Sequence, residues 1–314
     1  MIAAGSSAVW QPDLPENWRD AHTLRLTVLR PDGTVLNHGS WPVATPAPPD
    51  FDPAHAVMPI VAQPGEALVV ILGDHRVEFD WITGQLRGIR QRGRRLGPTN
   101  GPQLDAWQQE GDRRAPLVDT PALAGLNATV DGHVATVTAR YKNGFQSVVW
   151  RLQANPHELR LALNYSINVS GHSDAAGLRF DWPESGHRPA RWLGQGPHAI
   201  WRNRLPGGTR DVHSIDDTNR AGYHGDWTWL RFEAPGSPVE LWNLSGPASF
   251  SLDTAHPPAP TLTRLPSSGF SLMHVTPAIG TKFHRPADLG PQSQPVRLRG
   301  PQSGALVFRL LAHP

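Results

Sequence analysis

Between residues 179 and 229 the chain gathers the side-chain types that bind and break polar ligands. Asp216-Asp217 is the only adjacent acid pair in this stretch. Paired carboxyls are what general acid–base work on a glycosidic bond uses. Asp181, His198 and His224 are further acid or base candidates. The opposing reading makes the acid pair a loop cap, or an ion-pair partner of Arg220 or Arg210. Guanidinium and carboxylate forks suit vicinal hydroxyls, and flat rings cover the apolar C–H face of a sugar. On that logic Arg179, Arg202, Arg204, Arg220, Asp226, Tyr223, Trp182, Trp201 and Trp227 are substrate-binding candidates. Five of the 12 tryptophans fall in this stretch. Trp192 and Trp229 lie in strand-like sequence and read as core. The expected ligand is a saccharide.

The same sequence excludes other chemistries. It has no cysteine, hence no disulfide, thiolate metal site or thiol nucleophile. It has no glycine-rich phosphate loop and no nucleophile elbow. His213/His224 and His274/His284 do not match a compact metal-binding spacing, so neither metal nor cofactor is expected. Net charge is +2. The one dense basic run, Arg87 to Arg95, reads as a solvated hairpin, because no aromatics interleave with it as stacking readers of nucleic acid require. No apolar run is long enough to span a bilayer. Residues 1–9 lack the apolar centre of a signal peptide, so the expectation is a cytoplasmic protein without nucleic-acid or membrane partners.

The elements that must position these residues are strands. Proline (32) and glycine (30) make up about a fifth of 314 residues, which favours turns over long helices. Apolar residues recur with period two nearly everywhere. Leu24–Arg30 alternates, turns at Pro31-Asp32-Gly33, and resumes at Thr34. Residues 42–54 are proline-rich and read as an extended linker. Further strands are expected at Ala67–Leu72, His75–Ile82, Gln85–Gln91, Ala128–Val130, His133–Tyr141, Gln146–Gln153, Leu159–Val169, Gly177–Trp182, Thr228–Phe232, Val239–Asn243, Ser249–Leu252 and Ala305–Leu311. One or two helical turns are expected over Pro121–Leu126 or the 214–222 region. The fold class is all-β: a large antiparallel sandwich over 64–314, preceded over 1–63 by a short N-terminal strand pair and linker.

Four segments carry a family resemblance. Trp192–Arg204, WLGQGPHAIWRNR, resembles the WLGxGPxENYxDR segment of β-galactosidases of glycoside hydrolase family two. Val77–Gly88, VEFDWITGQLRG, is similar to the hairpin that opens that family's last domain, the small chain. Gly101–Trp107, GPQLDAW, is similar to the stretch that follows it. Thr228–Phe232 and Val239–Leu252 stand where the family has its later strands. The resemblance implies a galactose-mutarotase-like β-supersandwich, with residues 1–63 as the remnant of an immunoglobulin-like domain. It also implies a sugar-facing loop near Gly280–Arg285, where Phe283 and His284 replace the family's tryptophan. The family's glutamate is lost at Ala199-Ile200-Trp201, and its barrel domain with the catalytic glutamates is absent from these residues.

Three functions follow. The chain is a small subunit or fragment that completes a β-galactoside site on a barrel-containing large subunit, or as a homo-oligomer. Alternatively it is a stand-alone glycosidase, lyase or mutarotase using Asp and His residues of the sandwich groove. Alternatively it is a non-catalytic carbohydrate-binding module.

Overall fold

The computed structural model describes residues 5–111, 113–182, 190–205, 207–215, 222–233, 238–252 and 269–312. The chain forms two compact units, Met1–Pro46 and Ala47–Pro314. In the first, Thr23–Leu29 pairs antiparallel with Val35–Pro42. The turn forms as its residues dictate. Gly33 takes a left-handed φ of 84°, and the Asp32 carboxylate accepts the Thr34 N–H at 2.9 Å.

The second unit is a sandwich of two large antiparallel sheets. One has nine strands, in the order Leu123–Asp131, Val134–Tyr141, Gly144–Ala154, Glu158–Asn168, Gln302–Leu311, Val239–Ser245, Trp229–Phe232, Ala190–Gly196 and Thr209–Ser214. The other has His224–Gly225, Ser249–Leu252, Phe270–Val275, Ala175–Asp181, Thr99–Glu110, Leu86–Gln91, His75–Asp80, Ala67–Leu72 and Ile60–Ala62. Arg94–Leu96 and Arg113–Pro116 are added alongside it. Alternation fixes which face each strand buries: Val134–Tyr141 and Glu158–Asn168 switch between buried and less buried at nearly every residue. The inner faces meet around Trp150. Its ring contacts Phe308 of its own sheet at 5.7 Å, and Phe79 and Phe180 of the other at 6.1 and 6.4 Å. Helical structure among the described residues is limited to three-residue 3-10 turns, and most of the 214–222 region lies outside them.

Three expectations need adjustment. Residues 121–126 are not helical, since Leu123–Asp131 is a strand, paired to Val134–Tyr141 across the Asp131-Gly132 turn. Thr99–Glu110, the longest strand, was not expected, because glycine, proline and glutamine hide its alternation. Leu104 and Ala106 face the core, and a side chain at Gly101 would run into the Phe180 ring at 2.2 Å. Ile60–Ala62 pairs with Ala67–Leu72, so the large unit starts at Ala47, inside the proline-rich stretch, rather than at 64. The arginine run is a hairpin with Ile89 and Leu96 buried, as its punctuation implies.

One buried polar pair ties the two sheets together. Tyr165 of the nine-stranded sheet and His274 of the other share a 2.8 Å hydrogen bond. A side chain at Gly304 would run into the Tyr165 hydroxyl at 2.4 Å, and one at Gly246 would meet the Gly304 backbone at 2.7 Å and press on the His274 ring at 3.2 Å. Burial pulls the His274 pKa down to about 4 and pushes the Tyr165 phenol up. The folded state therefore binds fewer protons than the unfolded chain below the ordinary histidine pKa of about 6.5. This contribution is complete above that pH and is lost as the pH falls towards about 4. We predict that it amounts to about 2 kcal/mol after solvent screening. Burial lowers the His75 pKa too, with the same sign. Urea unfolding as a function of pH should show wild-type stability falling over this window, and His274→Gln should flatten the fall. An identical pH profile in the variant would refute the assignment.

Candidate functional site

The alternation that sends Leu104 and Ala106 inward sends Gln103, Asp105 and Trp107 to the outer face of the eleven-stranded sheet. Register completes the cluster. Gln103 stands opposite Arg179, and Asp105 opposite Gly177. Arg114 comes from the neighbouring strand, where it pairs with Gln109. Its guanidinium lies 4.4 Å over the Trp107 ring. A side chain at Gly177 would meet the Leu272 carbonyl at 2.3 Å, so the position opposite the acid stays bare. Arg179 pairs with Asp181 at 3.1 Å, and Asp181 also accepts from Asn100 and Gln103 at 3.2 and 3.3 Å.

Asp105 is crowded by protein yet keeps partial exposure. Burial raises its pKa, while Arg114, Arg179 and the Trp107 indole oppose the rise. A carboxyl held above its ordinary range by burial, with two guanidiniums acting on it, marks a candidate proton-transfer site. The Tyr223 phenol is also pushed up, by burial first and then by Asp105, against Arg114. It is therefore a hydrogen-bond donor rather than a base.

A loop covers one side of the cluster. Ile200, Trp201 and Tyr223 form a small apolar cluster with Trp107, Ala175 and Met273. Trp201 meets Tyr223 edge-on at 5.4 Å, and Ile200 N–H donates to the Tyr223 carbonyl at 2.7 Å. Arg202 anchors the loop. It donates to the Asp174 carbonyl and carboxylate at 3.1 and 3.3 Å, and to the Gln292 and Ser293 carbonyls at 3.1 and 3.2 Å.

The residues singled out in the sequence fare differently. Arg179, Asp181, Trp201 and Tyr223 do converge here, although both rings are buried and offer no free face to a sugar. Arg202 acts as a clamp. Arg204 is exposed, and its backbone pairs with that of Trp201. His224, Trp182 and Trp227 are corrections: all three belong to the interior. His224 packs 4.4 Å from Trp192 and 5.2 Å from Phe250, Trp182 sits on Phe232 at 4.6 Å, and Trp227 abuts Phe250 at 5.8 Å. The nearly enclosed Arg210 takes Asp226 as its partner at 2.9 Å. His198, Phe283 and His284 are exposed, and Lys282 lies 5.5 Å over the Phe283 ring. Asp216, Asp217 and Arg220 lie outside the described residues. Trp192 is core, but Trp229 is half-buried on an outer face, against expectation. Asp105 and Arg114 were missed as site residues. The available signal was the period-two placement of 103, 105 and 107 inside GPQLDAW.

Among the described residues no group of three or more His, Asp or Glu side chains could hold a metal ion. No helix among them is long and apolar enough to cross a membrane.

No protein-family model and no curated protein matches the chain. Among solved structures, it is similar to a candidate aldose 1-epimerase of Escherichia coli, at 11% identity and a TM-score of 0.39, over 82% of this chain and 99% of that one. It is also similar to a galactose mutarotase-like protein of Lactobacillus casei, at 11% and 0.38, over 78% and 99%. A Synechocystis protein matches at 12% and 0.37, over 85% and 100%. Scores this low carry no argument about function.

Removing the Arg202 clamp leaves the buried Asp174 carboxylate with only its bond from the Gln109 N–H. Breaking such a pair costs about 3 kcal/mol. We predict that Arg202→Ala lowers stability by that amount in urea unfolding and speeds amide hydrogen exchange across 196–205. Unchanged exchange there would contradict the anchoring role.

Proposed function

We propose that the chain is a stand-alone carbohydrate-acting enzyme that interconverts the anomers of a free sugar, with Asp105 as the proton-transfer group. The observation that carries this is the Asp105 carboxyl, raised in pKa and partly open, between Arg114 and Arg179 on an outer sheet face. A neutral carboxylic acid can do the whole reaction. Its O–H protonates the ring oxygen while its carbonyl oxygen takes the proton of the anomeric hydroxyl. The bond from the anomeric carbon to the ring oxygen breaks, the open aldehyde rotates, and closure returns the proton. In this reading Arg114, Arg179 and Gln103 hold neighbouring hydroxyls. Glycosidic hydrolysis would need a second carboxyl. Asp174 is engaged by Arg202 and the Gln109 N–H, and Asp181 by Arg179, Asn100 and Gln103.

The small-subunit reading is supported by the ordered motif resemblance. In it the same face, with the exposed Arg204, His198 and His284, would meet a barrel-bearing partner. It predicts an isolated chain without activity.

The test is anomer exchange of free aldoses, followed by polarimetry or exchange NMR, beside hydrolysis of nitrophenyl glycosides. The expected result is accelerated exchange by the isolated chain, lost at least about a hundredfold in Asp105→Asn and declining as the pH rises through the Asp105 pKa. No acceleration with any aldose, or full activity in Asp105→Asn, would overturn the proposal.

A further inference from the structure

The outer face of the nine-stranded sheet carries a feature that the Asp105 site does not use. Trp229 and Trp242 stand directly opposite each other on neighbouring strands, rings 6.4 Å apart and inclined at 48°. Both are half-buried, and neither belongs to the core. They line a groove of about 480 Å³ with Arg191, Arg231, Glu233 and Glu240. The groove is firmly built. Arg231 is held by Glu233 at 2.9 Å and Glu240 at 3.3 Å, and Glu240 by Arg309 at 2.5 Å. Glu240 also accepts the Trp242 indole N–H at 3.3 Å, which fixes that ring. Arg191, at one end, is exposed and has no ion-pair partner among the described residues.

We infer that this groove is a second saccharide-binding site, which takes a short oligosaccharide by stacking on Trp229 and Trp242 and by hydrogen bonds to Arg191, Glu233 and Glu240. Two tilted rings in one groove present apolar faces to successive sugar units. The carboxylates and the Arg191 guanidinium beside them accept from and donate to hydroxyls that remain partly wet. An apolar protein surface fits less well, because covering the face would strip water from Arg191 without supplying a counter-charge. The groove volume falls within the range of small-ligand sites.

The experiment titrates the full chain with cellohexaose, xylohexaose and galactan-derived oligosaccharides, read by tryptophan fluorescence and calorimetry. At least one should bind. Trp229→Ala and Trp242→Ala should each weaken it about tenfold or more while leaving anomer exchange of free sugars unchanged. Asp105→Asn should leave this binding intact, so failure of the acid site and failure of the groove are separable. Three results would overturn the inference: no binding by any of the three probes, binding indifferent to both tryptophan replacements, or concentration-dependent self-association that Trp242→Ala abolishes.

Discussion

Everything the large unit presents to solvent is set by what its two sheets bury against each other. Trp150, Phe308, Phe79 and Phe180 meet across the interior, and burial of such residues fixes which face of each contributing strand points inward. In a pleated sheet, a residue locked inward forces its neighbours outward. Leu104 and Ala106 in the core therefore place Gln103, Asp105 and Trp107 on the outer face. In the same way Leu230 and Leu241, both buried, place Trp229, Arg231, Glu240 and Trp242 on the other. The two polar surfaces are consequences of one apolar constraint.

The outer faces differ in how their charges are compensated. On the eleven-stranded sheet, Asp105 sits under a loop, beside buried rings, where burial acts on it more strongly than its two arginines do. On the nine-stranded sheet, the carboxylates belong to a chain of ion pairs running from Arg160 through Glu158, Arg309 and Glu240 to Arg231. Paired carboxylates of that kind suit recognition. A crowded carboxyl whose acidity is weakened suits proton transfer. The same residue type thus serves different chemistry according to the protein atoms around it.

Most of the fold was legible because period-two alternation is a local signal. Ala67–Leu72 and Ser249–Leu252 fall where their sequence puts them. Thr99–Glu110 was not legible, since a strand whose outer face is polar and whose inner face holds Gly101, Leu104 and Ala106 shows little alternation in hydrophobicity. The site was legible only in part. Residue density along 179–229 pointed to Arg179, Asp181, Trp201 and Tyr223, which do gather. It also pointed to His224, Trp182 and Trp227, which are interior. Density in sequence does not say which face of a strand a residue occupies. Asp105, more than seventy residues upstream, joins the cluster only through the pairing of its strand with Ala175–Asp181.

The central claim is that Asp105 is an acid of raised pKa at a sugar-binding face. It is tested most directly by a carbon-13 NMR titration of the Asp105 carboxyl, with and without saturating free aldose. The account predicts a midpoint above the ordinary aspartate value of about 3.9 that moves when the sugar is present. A carboxyl that titrates at its ordinary value and ignores the sugar would contradict it.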